Sequence, residues 1–160
     1  MLVISYIKNF GGQKKNMNAT INEFKDEYFF LSNFYEAKVE FDGIVYLNNE
    51  AAFQAQKCLN KEDRKQFANL NPSEAKKLGR SVVLRKDWED IKIDVMKKIV
   101  RAKFEQNLDL REKLLETGDA HLEEGNTWGD RIWGTVNGFG ANNLGRILME
   151  IRSEFSHSVV

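Results

Sequence analysis

Three side chains in one short stretch give the first chemical signal: Glu50, Gln54 and Lys57, within Glu-Ala-Ala-Phe-Gln-Ala-Gln-Lys. Spacings of four and three place a carboxylate, an amide and an amine along one face of a helix. The alanines between them leave room for a ligand. The same pattern also fits a structural role, with Glu50 serving the helix dipole and Lys57 solvated. A second set lies in Asp130-Arg-Ile-Trp-Gly-Thr135, followed by a glycine- and asparagine-rich stretch to Gly145. Asp130 adds another carboxylate there, and Trp133 an aromatic surface on a loop, where ligands are commonly held. Asn142 or Asn143 is expected to cap the last helix, whose first amide groups suit a phosphate or carboxylate. Trp88 stands at a helix entrance, where one ring face is expected to be open. Each tryptophan also fits a core position.

Other chemistries find little support. His121 has no serine or cysteine motif near it, and Cys58 reads as a buried inert thiol. Gly138-x-Gly140 follows no strand–helix crossover and lacks the third glycine of a dinucleotide loop. Two histidines and one cysteine, none at metal-site spacing, predict no metal site, no disulfide framework and a cofactor-free reaction. Magnesium held by carboxylates together with substrate phosphates is compatible with this.

The elements that must position these residues fit one domain. At 160 residues and 42% apolar, the chain can build a core without disulfides or metal. Its 24 basic and 24 acidic residues cancel, which argues against a nucleic-acid protein held by counterion release. Apolar runs are too short for a membrane span, and Met1–Ile7 lacks the basic leader of a signal peptide. A cytoplasmic domain is expected.

Residues 1–20 read as a flexible or loosely attached leader, and 21–157 as a single α+β domain, mostly helical, with a hairpin and short strands. Asp42-Gly43, between alternating segments, predicts a two-residue hairpin. The aromatic run Tyr28–Tyr35 reads as a buried strand end. Asn48 or Asn49 is expected to cap a helix through Lys57. Asn71-Pro-Ser-Glu74 forms a capping box for a helix stopping at Gly79. Asp87 opens the longest helix, Asp109 another, and the last carries Leu144, Ile147, Leu148, Ile151 and Phe155 on one face.

In order along the chain come Phe30-Leu-Ser-Asn-Phe-Tyr35, Asp42-Gly43, Asn49-Glu-Ala-Ala-Phe-Gln-Ala-Gln-Lys57 and Ser73-Glu-Ala-Lys-Lys-Leu-Gly-Arg80. Asp87-Trp88, Met96, Lys103-Phe104, Leu114–Asp119, Asp130-Arg-Ile-Trp-Gly134 and Asn143–Arg152 follow. Over residues 23–155 this series resembles the NADAR superfamily, the YbiA-like proteins. The resemblance implies an α+β, mostly helical fold and hydrolysis of N-glycosidic bonds. Bacterial YbiA-like members act on early riboflavin-pathway intermediates, freeing ribose 5-phosphate from an aminopyrimidine. Other branches are associated with ADP-ribose, including its removal from guanine. Many members carry Glu-His at the helix start, whereas here Ala51 follows Glu50.

Under that resemblance Glu50, Asp130 and Lys57 become the expected catalytic groups. Glu50 would stabilise sugar charge or activate water, Asp130 would be the second carboxylate, and Lys57 would hold phosphate or form a Schiff base. Asn33, Phe34, Gln54, Arg80, Trp88, Trp133 and Asn143 would bind substrate. The expected partner is a small ribosyl-phosphate or ADP-ribosyl molecule, with no membrane, and nucleic acid only as an ADP-ribosylated substrate. The alternative is a non-catalytic ADP-ribose or nucleotide-binding module.

Overall fold

The computed structural model describes residues 6–8, 14–16 and 19–158. Much of the expected leader, residues 1–20, lies outside them; its described parts are strands β1 (Tyr6–Lys8) and β2 (Lys14–Asn16), paired antiparallel, and residues 19–20, where the next strand begins. The class is α+β, with six helices and three two-stranded sheets among the described residues. The chain forms two compact units, Phe30–Glu112 and the combination of Met1–Phe29 with Lys113–Val160.

In the unit Phe30–Glu112, β4 (Glu36–Phe41) and β5 (Ile44–Asn48) form the expected hairpin, with Phe41 opposite Ile44. Its turn has φ of 50° at Asp42 and 78° at Gly43, the left-handed pair that a two-residue turn requires. Alternation along β4 and β5 buries Ala37, Val39, Ile44 and Tyr46. Helix α1 (Asn49–Ala55) follows directly, capped by Asn48, whose Oδ1 accepts the Ala51 amide at 2.8 Å. The chain then tightens, the Lys57 amide donating to the Gln54 carbonyl, so α1 ends before Lys57. Helix α2 (Lys61–Lys65) has no counterpart among the expected elements; it buries no residue and so leaves no apolar period to read. Helix α3 (Pro72–Gly79) has the full capping box, and α4 (Trp88–Gln106) is the long helix. Asp87 precedes α4 without capping it, because Arg85 engages both carboxylate oxygens, at 2.6 and 3.1 Å. That guanidinium holds the Asp87 carboxyl below its usual range.

The aromatic run is not a strand. Asp26–Leu31 is a short 3-10 helix that buries the consecutive Phe30 and Leu31, and a turn follows it. Lys103 takes the Phe30 and Ser32 carbonyls that a strand would offer to a neighbour.

In the other unit, β3 (Thr20–Ile21) pairs in parallel with β6 (His121–Leu122). The last helix, α6 (Asn143–His157), buries Leu144, Ile147, Leu148, Ile151 and Phe155 as its spacing predicts. Helix α5 (Leu108–Glu116) carries the chain from one unit into the other. No helix among the described residues is long and apolar enough to cross a membrane.

Candidate active site

Helix α1 is lined with buried polar side chains, an arrangement that core packing alone does not call for. Glu50 is 8% exposed and Gln54 6%. Gln54 Nε2 donates to Glu50 Oε1 at 2.8 Å, which fixes the carboxylate along the helix face. The other end of the same amide, Oε1, is buried with no hydrogen-bond partner. It lies against Gly79, where an added Cβ would stand 1.9 Å from it. Gly79 therefore serves close approach between α1 and α3. Helix α3 stops at Gly79 as the sequence suggests, with a right-handed Arg80 behind it.

Lys57 closes this group. It is half-buried, and its Nζ points to the Gly79 carbonyl at 3.5 Å. Burial lowers the pKa of its amine; Glu50 opposes that shift, while Arg80 and Lys76 add to it. The solvated-lysine alternative therefore does not describe Lys57. Lys76 also stands 5.9 Å from the ring centre of Phe34, which is 38% exposed. Asn33 is buried in the preceding turn; its carbonyl accepts the Glu50 amide at 3.1 Å and its Nδ2 points to Met96 Sδ at 3.4 Å. Arg80 is exposed at the end of α3. Trp88 has no open ring face: it is 4% exposed and packs on Phe53 at 5.0 Å between ring centres.

The unit Phe30–Glu112 thus brings Glu50, Gln54 and Lys57 together, with Asn33 joined to the Glu50 backbone. Asp130, Trp133 and Asn143 belong to the other unit. There Asp130 Oδ1 accepts the amides of Ile132 and Trp133 at 3.0 and 2.9 Å, which shapes the loop. Asn126, which the sequence did not single out, ties that loop further through the Asp130 amide and carbonyl. The amides of Asn143 and Leu144 donate to the Ile132 and Trp133 carbonyls, so these two are not open to a phosphate. Asn142 precedes α6 in a left-handed conformation without capping it, since its side chain binds Leu122 and Glu124. Among the described residues no three His, Cys, Asp or Glu side chains are grouped as a metal ion requires.

The comparisons with known proteins concern nearly the whole chain. The N-glycosidase YbiA of Escherichia coli (strain K12) is 42% identical over 135 residues, 82% of this chain and 84% of that protein. The N-glycosidase Npun_R5314 of Nostoc punctiforme is 37% identical, covering 78% and 83%. The riboflavin biosynthesis protein VVA0006 of Vibrio vulnificus is 40% identical over 78% of this chain, which matches 35% of that longer protein. Among solved structures, the NMR structure of E. coli YbiA superimposes with a TM-score of 0.78 at 40% identity, covering 88% of each chain. The family described as NADAR domain matches residues 20–156. With its α+β fold, its ordered motifs and this match, the chain belongs to the NADAR domain family.

Proposed function

We propose that this protein is an N-glycosidase that hydrolyses the bond between ribose 5-phosphate and an aminopyrimidine, as in early riboflavin-pathway intermediates. The observation that carries the reading is the buried Glu50 carboxylate, oriented by Gln54 and accompanied by the depressed amine of Lys57. Relatives named N-glycosidase and riboflavin biosynthesis protein support the reaction and substrate class.

Breaking a ribosyl C–N bond leaves positive charge on the sugar, which a pre-oriented carboxylate stabilises most in the transition state. In the direct route a water oxygen bonds to the anomeric carbon as the C–N bond breaks. Glu50 takes the water's proton, and a proton is returned to the departing nitrogen. In the amine route the neutral Nζ of Lys57 bonds to that carbon as the C–N bond breaks, one of its protons passing to the departing nitrogen. The ring C–O bond of the resulting glycosylamine then opens, its oxygen taking the second Nζ proton, which leaves an imine. Water then hydrolyses the resulting imine, releasing the sugar aldehyde and restoring the amine.

Lys57 and Arg80 also supply positive charge for a sugar phosphate. Asn33 and Phe34 are proposed to border the substrate. Asp130, Trp133 and Asn143 are retained as candidates through the family motifs, whereas Trp88, with no open ring face, is not. The cytoplasm is the enzyme's proposed place of action.

The test offers purified protein the riboflavin-pathway ribosyl-phosphate intermediates, ADP-ribosylated guanosine and free ADP-ribose, with products followed by mass spectrometry. Release of ribose 5-phosphate from the aminopyrimidines is expected. Turnover of the guanosine adduct alone would move the substrate class. Saturable ADP-ribose binding without hydrolysis of any substrate would favour the non-catalytic module.

A further inference from the structure

The interior also holds a cation that this chemistry does not use. Lys103, on the inner face of α4, is 1% exposed. Its Nζ donates to the Phe30 carbonyl at 2.6 Å and the Ser32 carbonyl at 3.1 Å. It stands 5.5 Å from the ring centre of Tyr35 and 5.2 Å from that of Phe104. Burial is the cause that depresses its pKa, to about 7. A methionine would fill this space without the desolvation cost of an amine, so packing alone does not account for the residue.

The two carbonyls it engages open the turn that precedes β4. Within that turn the Phe34 amide donates to Ser32 Oγ at 3.1 Å, and the Tyr35 amide to the Ser32 carbonyl at 3.2 Å. The Asn33 carbonyl then accepts the Glu50 amide, one of the first-turn donors that has no partner within its own helix. Met96, seven residues before Lys103 and so on the same side of α4, faces the Asn33 side-chain amide. Two residues of one helix thus hold a single turn, and that turn satisfies the backbone of Glu50.

We propose that Lys103 is a positioning residue: by clamping the Phe30 and Ser32 carbonyls it fixes the Asn33–Phe34 turn, and through it the start of the helix that presents Glu50. An ammonium and a neutral amine can each donate two hydrogen bonds, so the clamp holds through titration. The proposal rests on the reading of Glu50 as the charge-stabilising carboxylate, but its structural half can be measured without turnover.

The experiment compares the full-length wild type with Lys103→Met and Lys103→Gln. Amide exchange by NMR is followed at Glu50 and at Ala55, the far end of α1, together with kinetics on the ribosyl-phosphate aminopyrimidine. For Lys103→Met, the Glu50 amide is expected to exchange about tenfold faster relative to Ala55. The ratio kcat/KM is expected to fall about tenfold or more, with kcat carrying much of the loss. In Lys103→Gln the shorter amide can reach one carbonyl and should recover part of both effects.

A lower melting temperature with an unchanged Glu50-to-Ala55 ratio and unchanged kcat would overturn the proposal. Should Lys103→Met not fold, Lys103→Gln is judged by the same ratio. In the wild type, the Nζ protons of Lys103 are expected to be protected from solvent exchange. Their rapid exchange would overturn the clamp whatever the variants do. If Glu50→Gln retains turnover, the reading of Glu50 fails, while the exchange ratio still decides the role of Lys103.

Discussion

Gln54 grips Glu50 with one end of its amide and presses the other end against Gly79. The donor bond to Glu50 Oε1 is 2.8 Å, while an added Cβ at residue 79 would lie 1.9 Å from Gln54 Oε1. An absent side chain on α3 therefore sets the direction of a carboxylate on α1. Removing that space should act on the carboxylate at a distance.

Gly79→Ala is the variant that removes it. Gln54 is 6% exposed and has little room to swing, so the clash should cost about 1–3 kcal/mol of stability and lower kcat. Adding Gln54→Ala should restore part of the stability but not kcat, because Glu50 then lacks its donor. Thermal melts and kinetics of the double-mutant cycle check this. An additive cycle would show that residues 54 and 79 are not coupled.

Lys103 predicts an unusual pH dependence of stability. Its folded pKa of about 7 lies below its ordinary 10.5, so between these values the unfolded chain holds a proton the folded protein has lost. That contribution is fully present above pH 10.5 and is lost as pH falls through about 7. Urea melts of the wild type should therefore show stability rising with pH across this window relative to Lys103→Met. The facing groups are two carbonyls and the rings of Tyr35 and Phe104, so no paired acid offsets the effect. Parallel pH profiles for the two proteins would contradict the buried amine.

Lys57 separates the two chemical routes. Its amine is lowered by burial, so more of it is neutral near physiological pH than for an ordinary lysine. Borohydride added during turnover is expected to inactivate the enzyme and leave a reduced sugar adduct on Lys57, detectable by peptide mass spectrometry. Full activity with an unmodified Lys57 would leave the direct water route, with Lys57 as a phosphate-binding cation.

Much of the fold is legible in the sequence because its signals are local. The Asp42-Gly43 turn, the Asn71–Glu74 capping box and the apolar face of α6 are each written in a few consecutive residues. The Glu50–Gln54–Lys57 group is legible for the same reason, since helical spacing joins Glu50 to Gln54 and the turn that ends α1 carries Lys57 beside them. Its supports are not. Gly79 is legible as the helix stop it is, but not as the residue that admits the Gln54 amide, because the two are remote in sequence. Lys103 stands in the sequence only as a piece of the ordered motifs, since its 73-residue separation from Phe30 hides the carbonyl it meets. The run Tyr28–Tyr35 reads as a strand because aromatic composition favours strands, whereas the Lys103 clamp and the turn at Ser32 decide otherwise.

The central claim is that Glu50 carries transition-state stabilisation, and the kinetics of Glu50→Gln test it most directly. The amide preserves volume and the helix start while removing the charge. With the melting temperature confirming a folded protein, kcat and kcat/KM on the ribosyl-phosphate aminopyrimidine should fall together by about 10²-fold or more, and KM should change little. If Glu50 served only the helix dipole, the change would cost about 0.3–1 kcal/mol of stability and leave catalysis intact. Near wild-type turnover by a folded Glu50→Gln protein would contradict the account.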